Sequence, residues 1–122
     1  MFAQPEWLAD VITEKGAVTT DRLAEILRVT KTELAAASGL SRDAVSKRAR
    51  STARATQTRL RDIVEIINRV SPWAGSVGGA FAWYRSQPLP SFGDKTAEDL
   101  VKEGRAQAVK DYLSRIAEGG YA

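Results

Sequence analysis

Apolar positions recur with a helical period through most of the chain. The clearest stripe is Leu60, Ile63, Val64, Ile67 and Val70, which predicts a helix over residues 57–70. Upstream, Trp7, Leu8, Val11 and Ile12 predict a helix over residues 1–15, with Pro5 at its first position and Gly16 at its end. That stripe reads as core, with a dimer contact as the alternative. Leu23, Ile26 and Leu27 predict a helix over residues 21–28, with Thr20 as its N-cap. Thr30 and Glu33 form a capping box that opens a helix running to Ala37. Ser38, Gly39 and Leu40 make a tight turn, and Ser41 caps a helix expected to reach Arg50. The small polar stretch over residues 51–58 is either a loop or a weak helix start.

In the second half, Pro72 is expected to end the long helix, because the residue before a proline is pushed out of the helical region. A helix resumes before Phe81, includes Trp83 and Tyr84, and stops at Pro88 and Pro90. Five of the nine aromatic residues, Trp73, Phe81, Trp83, Tyr84 and Phe92, fall within twenty positions. They read as core, with Tyr84 the exposed one. Thr96 and Asp99 form a second capping box before Leu100 and Val101, and Gly104 ends or bends that helix. A last helix carries Val109, Tyr112, Leu113 and Ile116 on one face, and Gly119 and Gly120 terminate it. The fold class is therefore all-α. Residues 1–70 are expected to form a helical dimerisation and helix-turn-helix region, and residues 71–122 a small helical domain.

Composition acts mainly by exclusion. The 122 residues suffice for one domain or two very small ones sharing a core. Hydrophobic residues at 43% and charged residues at 27% indicate a globular chain. There is no cysteine and no histidine, which removes the usual zinc sites, Ser-His triads and Cys-His pairs. No cofactor, metal or catalytic role is expected. Asp94, Glu98, Asp99 and Glu103 read as capping and solubilising acids. The lack of cysteine suits the cytoplasm, no apolar run approaches the roughly 20 residues of a membrane span, and no signal peptide is expected.

Charge is uneven. Residues 42–61 hold seven basic residues against one acid, Asp43, for a net +6, while the whole chain is +3. Residues 31–50 resemble the helix-turn-helix of phage-repressor-like proteins through buried positions Leu34 and Val45, small Ala35, turn residue Gly39 and corner residue Leu40. Arg48 departs from that pattern, standing where those proteins place an aliphatic core residue. In a docked recognition helix, Ser41, Arg42, Ala44, Ser46 and Lys47 would face base edges. Arg50, Arg54 and Arg59 would meet phosphates. The bland alternative is a solvated basic face.

From Trp83 onward, Pro88-Leu89, Phe92-Gly93, Lys95-Thr96-Ala97-Glu98-Asp99-Leu100-Val101, Gly104, Val109, Leu113-Ser114-Arg115-Ile116 and Gly119-Gly120-Tyr121-Ala122 follow in order. Residues 80–122 thereby resemble the toxin-binding domain of Xre/MbcA/ParS-type antitoxins, with a look nearest the ParS members. The resemblance implies the inhibitor half of a type II toxin–antitoxin pair whose toxin carries a RES domain and consumes NAD or transfers its ADP-ribosyl group. It also implies autorepression at operator DNA; because a repressor-like module usually works as a dimer on a two-fold site, a homodimer within a toxin–antitoxin hetero-oligomer is expected. Carried onto this chain, Gly119, Gly120, Tyr121 and Ala122 would plug the toxin's active site, with Arg115 and Ile116 at the interface.

The plug is physically reasonable. Four extended residues reach about 13 Å. Glycines allow close backbone passage, Tyr121 offers a ring to stack, and a terminal carboxylate suits phosphate-holding cations. A frayed terminus without a role is the competing reading. A stand-alone helix-turn-helix regulator is the alternative function. The dimer stripe is either Trp7/Val11 or Leu60/Val70.

Overall fold

The computed structural model describes residues 5–119, and all the regular elements among them are helices. None of those helices is long and apolar enough to cross a membrane. The chain divides into two units between Val64 and Glu65.

In the first unit, Pro5 precedes α1 (Glu6–Val11), which is shorter than its apolar stripe suggests. Ile12 turns extended and pairs with Val18 in an isolated antiparallel bridge, so the chain doubles back instead of continuing the helix. Gly16 sits in this turn at φ +82° and donates to the Thr13 carbonyl at 2.8 Å. Val11 and Val18 are both buried. Then α2 (Thr20–Leu27) starts one residue early, with Thr19 as N-cap. Its inner face buries Leu23, Ala24 and Leu27.

The first capping box forms as expected at α3 (Lys31–Ser38). Glu33 N–H donates to Thr30 Oγ1 at 3.0 Å, and Thr30 N–H to Glu33 Oε1 at 3.1 Å. Gly39 closes α3 in the left-handed region at φ +69°, where a Cβ is strained. The next helix is interrupted: α4 (Arg42–Ser46) and α5 (Arg48–Ser51) are separated by an extended Lys47. Continuing α4 would carry Arg48 inward, three residues beyond the fully buried Val45. Burying an unpaired guanidinium is prohibitive, and the break leaves Arg48 exposed. The long helix α6 (Arg54–Ala74) follows, and Leu60, Ile63 and Val64 complete the apolar interior of this unit.

The second unit contains the remainder of α6, where Ile66, Ile67 and Val70 are buried. Pro72 does not end the helix as expected; it lies inside the last turn. So close to the end, proline costs one intrahelical bond. Ser71 Oγ donates to the Ile67 carbonyl at 2.7 Å, and Gly75 N–H to the Ser71 carbonyl at 2.9 Å.

Ser76 then caps α7 (Val77–Ser86) by accepting the Gly79 N–H at 2.9 Å. A Cβ on Gly79 would meet the Ala74 carbonyl oxygen at 2.8 Å, so this corner needs glycine for close approach. After the 3-10 turn η1 (Pro90–Phe92), the helices α8 (Ala97–Lys102) and α9 (Ala106–Ala117) pack on one another.

The aromatic assignments are corrected at two positions. Tyr84 is 0% exposed and stacks on Phe81 at 6.0 Å, whereas Trp73 is 50% exposed. One residue sits on the core side of α7, the other at the exposed end of α6.

Candidate functional site

The C-terminal unit is organised by an anion between two helices. Glu98 on α8 is 8% exposed. Its Oε1 accepts from Arg85 Nε of α7 at 2.8 Å, and its Oε2 meets Lys102 Nζ at 2.6 Å. Arg85 also lies over the Phe81 ring, 5.7 Å from its centre. By sequence Glu98 reads as a solvated acid; the four-residue spacing to Lys102 is the available signal of its partner.

The neighbouring acids are equally committed. Asp99 accepts the Thr96 N–H at 3.0 Å in the second capping box, and that backbone bond holds its carboxyl below the ordinary value of 3.8. Glu103 bonds Lys95 Nζ at 2.5 Å and lies 3.6 Å from Arg105, and the Lys95 bond holds its carboxyl below 4.5. Both are held as anions by structural partners, which suits capping and not proton transfer.

At α9, Val109, Tyr112 and Leu113 face the core. The helix is tied to α6 by Arg69, whose Nη1 donates to the Lys110 carbonyl at 3.1 Å and to Ser114 Oγ at 3.0 Å. Glu65 adds contacts to Arg69 at 3.3 Å and Lys110 at 3.5 Å. The anchored helix leaves Arg115 exposed and Ile116 half-buried near its end. Gly119 follows, exposed, at φ +89°, its N–H donating to the Ile116 carbonyl at 3.0 Å. Gly120, Tyr121 and Ala122 lie outside the described residues.

In the first unit, Ser41 Oγ accepts the Ala44 N–H at 3.1 Å and so fixes the start of α4. Ser41, Arg42, Ser46, Lys47, Arg50 and Arg54 are exposed, and Ala44 is half-buried. The break at Lys47 puts Arg50 on a different helix from Arg42 and Ser46, so these residues do not share the one continuous face expected of a single helix. Asp43 reaches Lys47 at 3.7 Å and Arg50 at 4.0 Å. Arg59, expected at a phosphate, donates to the Ser38 carbonyl at 2.8 Å, and Arg61 donates to the Gly16 carbonyl at 2.8 Å. These two cations serve the fold.

No curated protein and no solved structure matches the chain. Residues 73–119, from the exposed Trp73 through α9, match the family model described as the antitoxin Xre/MbcA/ParS C-terminal toxin-binding domain. Over these residues the C-terminal part of this chain is therefore similar to the toxin-binding domain of the Xre/MbcA/ParS antitoxins.

Proposed function

We propose that the protein is the antitoxin of a type II toxin–antitoxin pair and neutralises a RES-domain toxin, one that uses NAD, by covering its active site. The observation that carries this reading is the family match over residues 73–119. The geometry supports it: α9 is anchored through Arg69, and Arg115, Ile116 and Gly119 stand at its end. The protein acts by occlusion, in the cytoplasm, without a cofactor. A variant lacking residues 119–122 is expected to keep its helical content and lose neutralisation of the toxin. Undiminished protection by the truncated chain would remove the plug.

A second activity, autorepression as a dimer at operator DNA, is favoured by the exposed Ser41, Arg42, Ser46, Lys47, Arg50 and Arg54, with the half-buried Ala44 between them. Binding should weaken steeply with salt, since phosphate contacts release counterions. Arg42→Ala should relax sequence preference. Salt-insensitive binding, or none, would leave the antitoxin reading standing and retire this one. Operator binding with no toxin partner would instead favour a stand-alone helix-turn-helix regulator.

A further inference from the structure

Arg48 begins α5 and lines a cleft of about 480 Å³ in the first unit, shared with the start of α2. Three observations meet there. First, Thr19 is the N-cap of the eight-residue α2, yet its side chain makes no capping bond, and its buried hydroxyl has no partner. Second, Thr20 lines the same cleft, is only 7% exposed, and its hydroxyl makes no hydrogen bond among the described residues. Third, the Arg48 guanidinium enters no ion pair among the described residues.

Buried polar groups are nearly always hydrogen-bonded, so the buried, unpartnered Thr19 hydroxyl beside this cleft calls for a partner that accepts. The first N–H groups of a helix also lack intrahelical partners and carry its positive end. A second cation, Lys31, also lines the cleft and is ion-paired with Asp21, which cancels the nearby carboxylate. The Arg48 charge is left over.

We infer that this cleft takes the phosphoryl group of a phosphorylated ligand, held by the Arg48 guanidinium, the Thr19 and Thr20 hydroxyls and the opening N–H groups of α2. Every group assigned is a donor, and a phosphate presents several acceptor oxygens to a guanidinium fork. The volume exceeds a bare phosphate and leaves room for the organic part of the ligand. The break at Lys47, which carries Arg48 out of the core, is what makes the cleft cationic.

The full chain, labelled with nitrogen-15, is titrated with inorganic phosphate and then with adenosine 5′-monophosphate at constant ionic strength. The expected result is saturable shifts at Thr19, Thr20 and Arg48. Arg48→Gln, an exposed position, should weaken binding at least about tenfold while circular dichroism stays unchanged. Thr20→Val should weaken it as well, and if that variant misfolds, Arg48→Gln alone decides. Adding a random-sequence DNA duplex separates the sources. Displacement of phosphate supports a nucleic-acid backbone phosphate in this cleft, and binding that persists supports a free phosphorylated small molecule. Unsaturable shifts spread over Arg42, Lys47, Arg50 and Arg54, or equal binding by Arg48→Gln, would overturn the assignment.

Discussion

Arg85 donates through Nε to the Glu98 carboxylate at 2.8 Å, tying the end of α7 to α8. Glu98 is the buried member, 11% exposed at its side chain against 39% for Arg85. Removing the cation leaves a carboxylate in a poorly hydrated place with Lys102 as its remaining partner. Arg85→Ala is therefore expected to destabilise the protein by about 1.5–3 kcal/mol, the range for hydrogen bonds to charged groups. Lys102 is about as exposed, at 37%, but it pairs within its own helix at four residues' spacing and ties no second helix, so Lys102→Ala should cost less. Urea denaturation of both variants checks the ranking. Equal small losses would mean that Glu98 is solvated in practice.

The two adjacent glycines of α7 offer a cleaner comparison. Gly79→Ala places a Cβ 2.8 Å from the Ala74 carbonyl oxygen, a backbone atom that moves only with the α6–α7 corner. A loss of roughly 1–3 kcal/mol is expected. Gly78 meets nothing closer than Ser76 Oγ at 3.9 Å, so Gly78→Ala should be neutral or add about 0.4–1 kcal/mol by restricting the unfolded chain. Thermal melts should fall for Gly79→Ala and hold or rise for Gly78→Ala. A Gly79→Ala protein as stable as the parent would show that the corner is free to relax.

The second capping box makes stability depend on acid. Asp99 has a folded-state carboxyl below its ordinary 3.8 because it accepts the Thr96 N–H. A group depressed by folding binds fewer protons in the folded state. Its contribution is present above the ordinary value and is lost as pH falls through the depressed one. Glu103 adds the same sign through Lys95. Asp99→Ala should thus be less stable than the parent near neutral pH, and the gap should narrow once pH falls below the ordinary 3.8. Denaturation midpoints in both ranges test this, and a gap that persists or widens in acid contradicts it.

Local chemistry is legible in the sequence, and tertiary choices are not. Both capping boxes, Thr30 with Glu33 and Thr96 with Asp99, form as expected because each needs only three residues of spacing. The same holds for the left-handed Gly39. The α4–α5 break is half visible: Arg48 is conspicuous at a core position, but nothing local says whether the residue or the helix will yield. Pro72 reads as a stop, yet the last turn absorbs it because the helix has little further to run. Tyr84 and Trp73 exchange their expected exposures because periodicity ranks neighbours on a face and does not say which end of a helix lies open. The toxin-binding segment is legible from ordered motifs, whereas the Glu98 hub depends on Arg85, thirteen residues away on another helix.

Gln57 is the clearest case of a long-range role hidden in a bland stretch. Its Oε1 accepts the Val18 N–H at 2.7 Å, and its Nε2 donates to the Val18 carbonyl at 3.0 Å and to the Ser51 carbonyl at 2.7 Å. One buried amide thus pairs both backbone groups of a residue thirty-nine positions away, as a neighbouring strand would. Gln57→Leu keeps the volume and leaves these groups unpaired, so a loss of at least about 1–3 kcal/mol is expected. Gln57→Glu separates the hydrogen bonds from the packing. When ionised, the introduced carboxylate accepts from Val18 but turns an anion toward two carbonyl oxygens, so burial and those oxygens raise its pKa. Its protonated form can still donate to one carbonyl. Stability of Gln57→Glu should accordingly be greatest in mild acid and fall as pH rises through that raised value, the opposite sign to the Asp99 effect. A Gln57→Glu protein whose stability is flat between about pH 5 and pH 8 would show that the amide is hydrated in solution and that Val18 finds other partners.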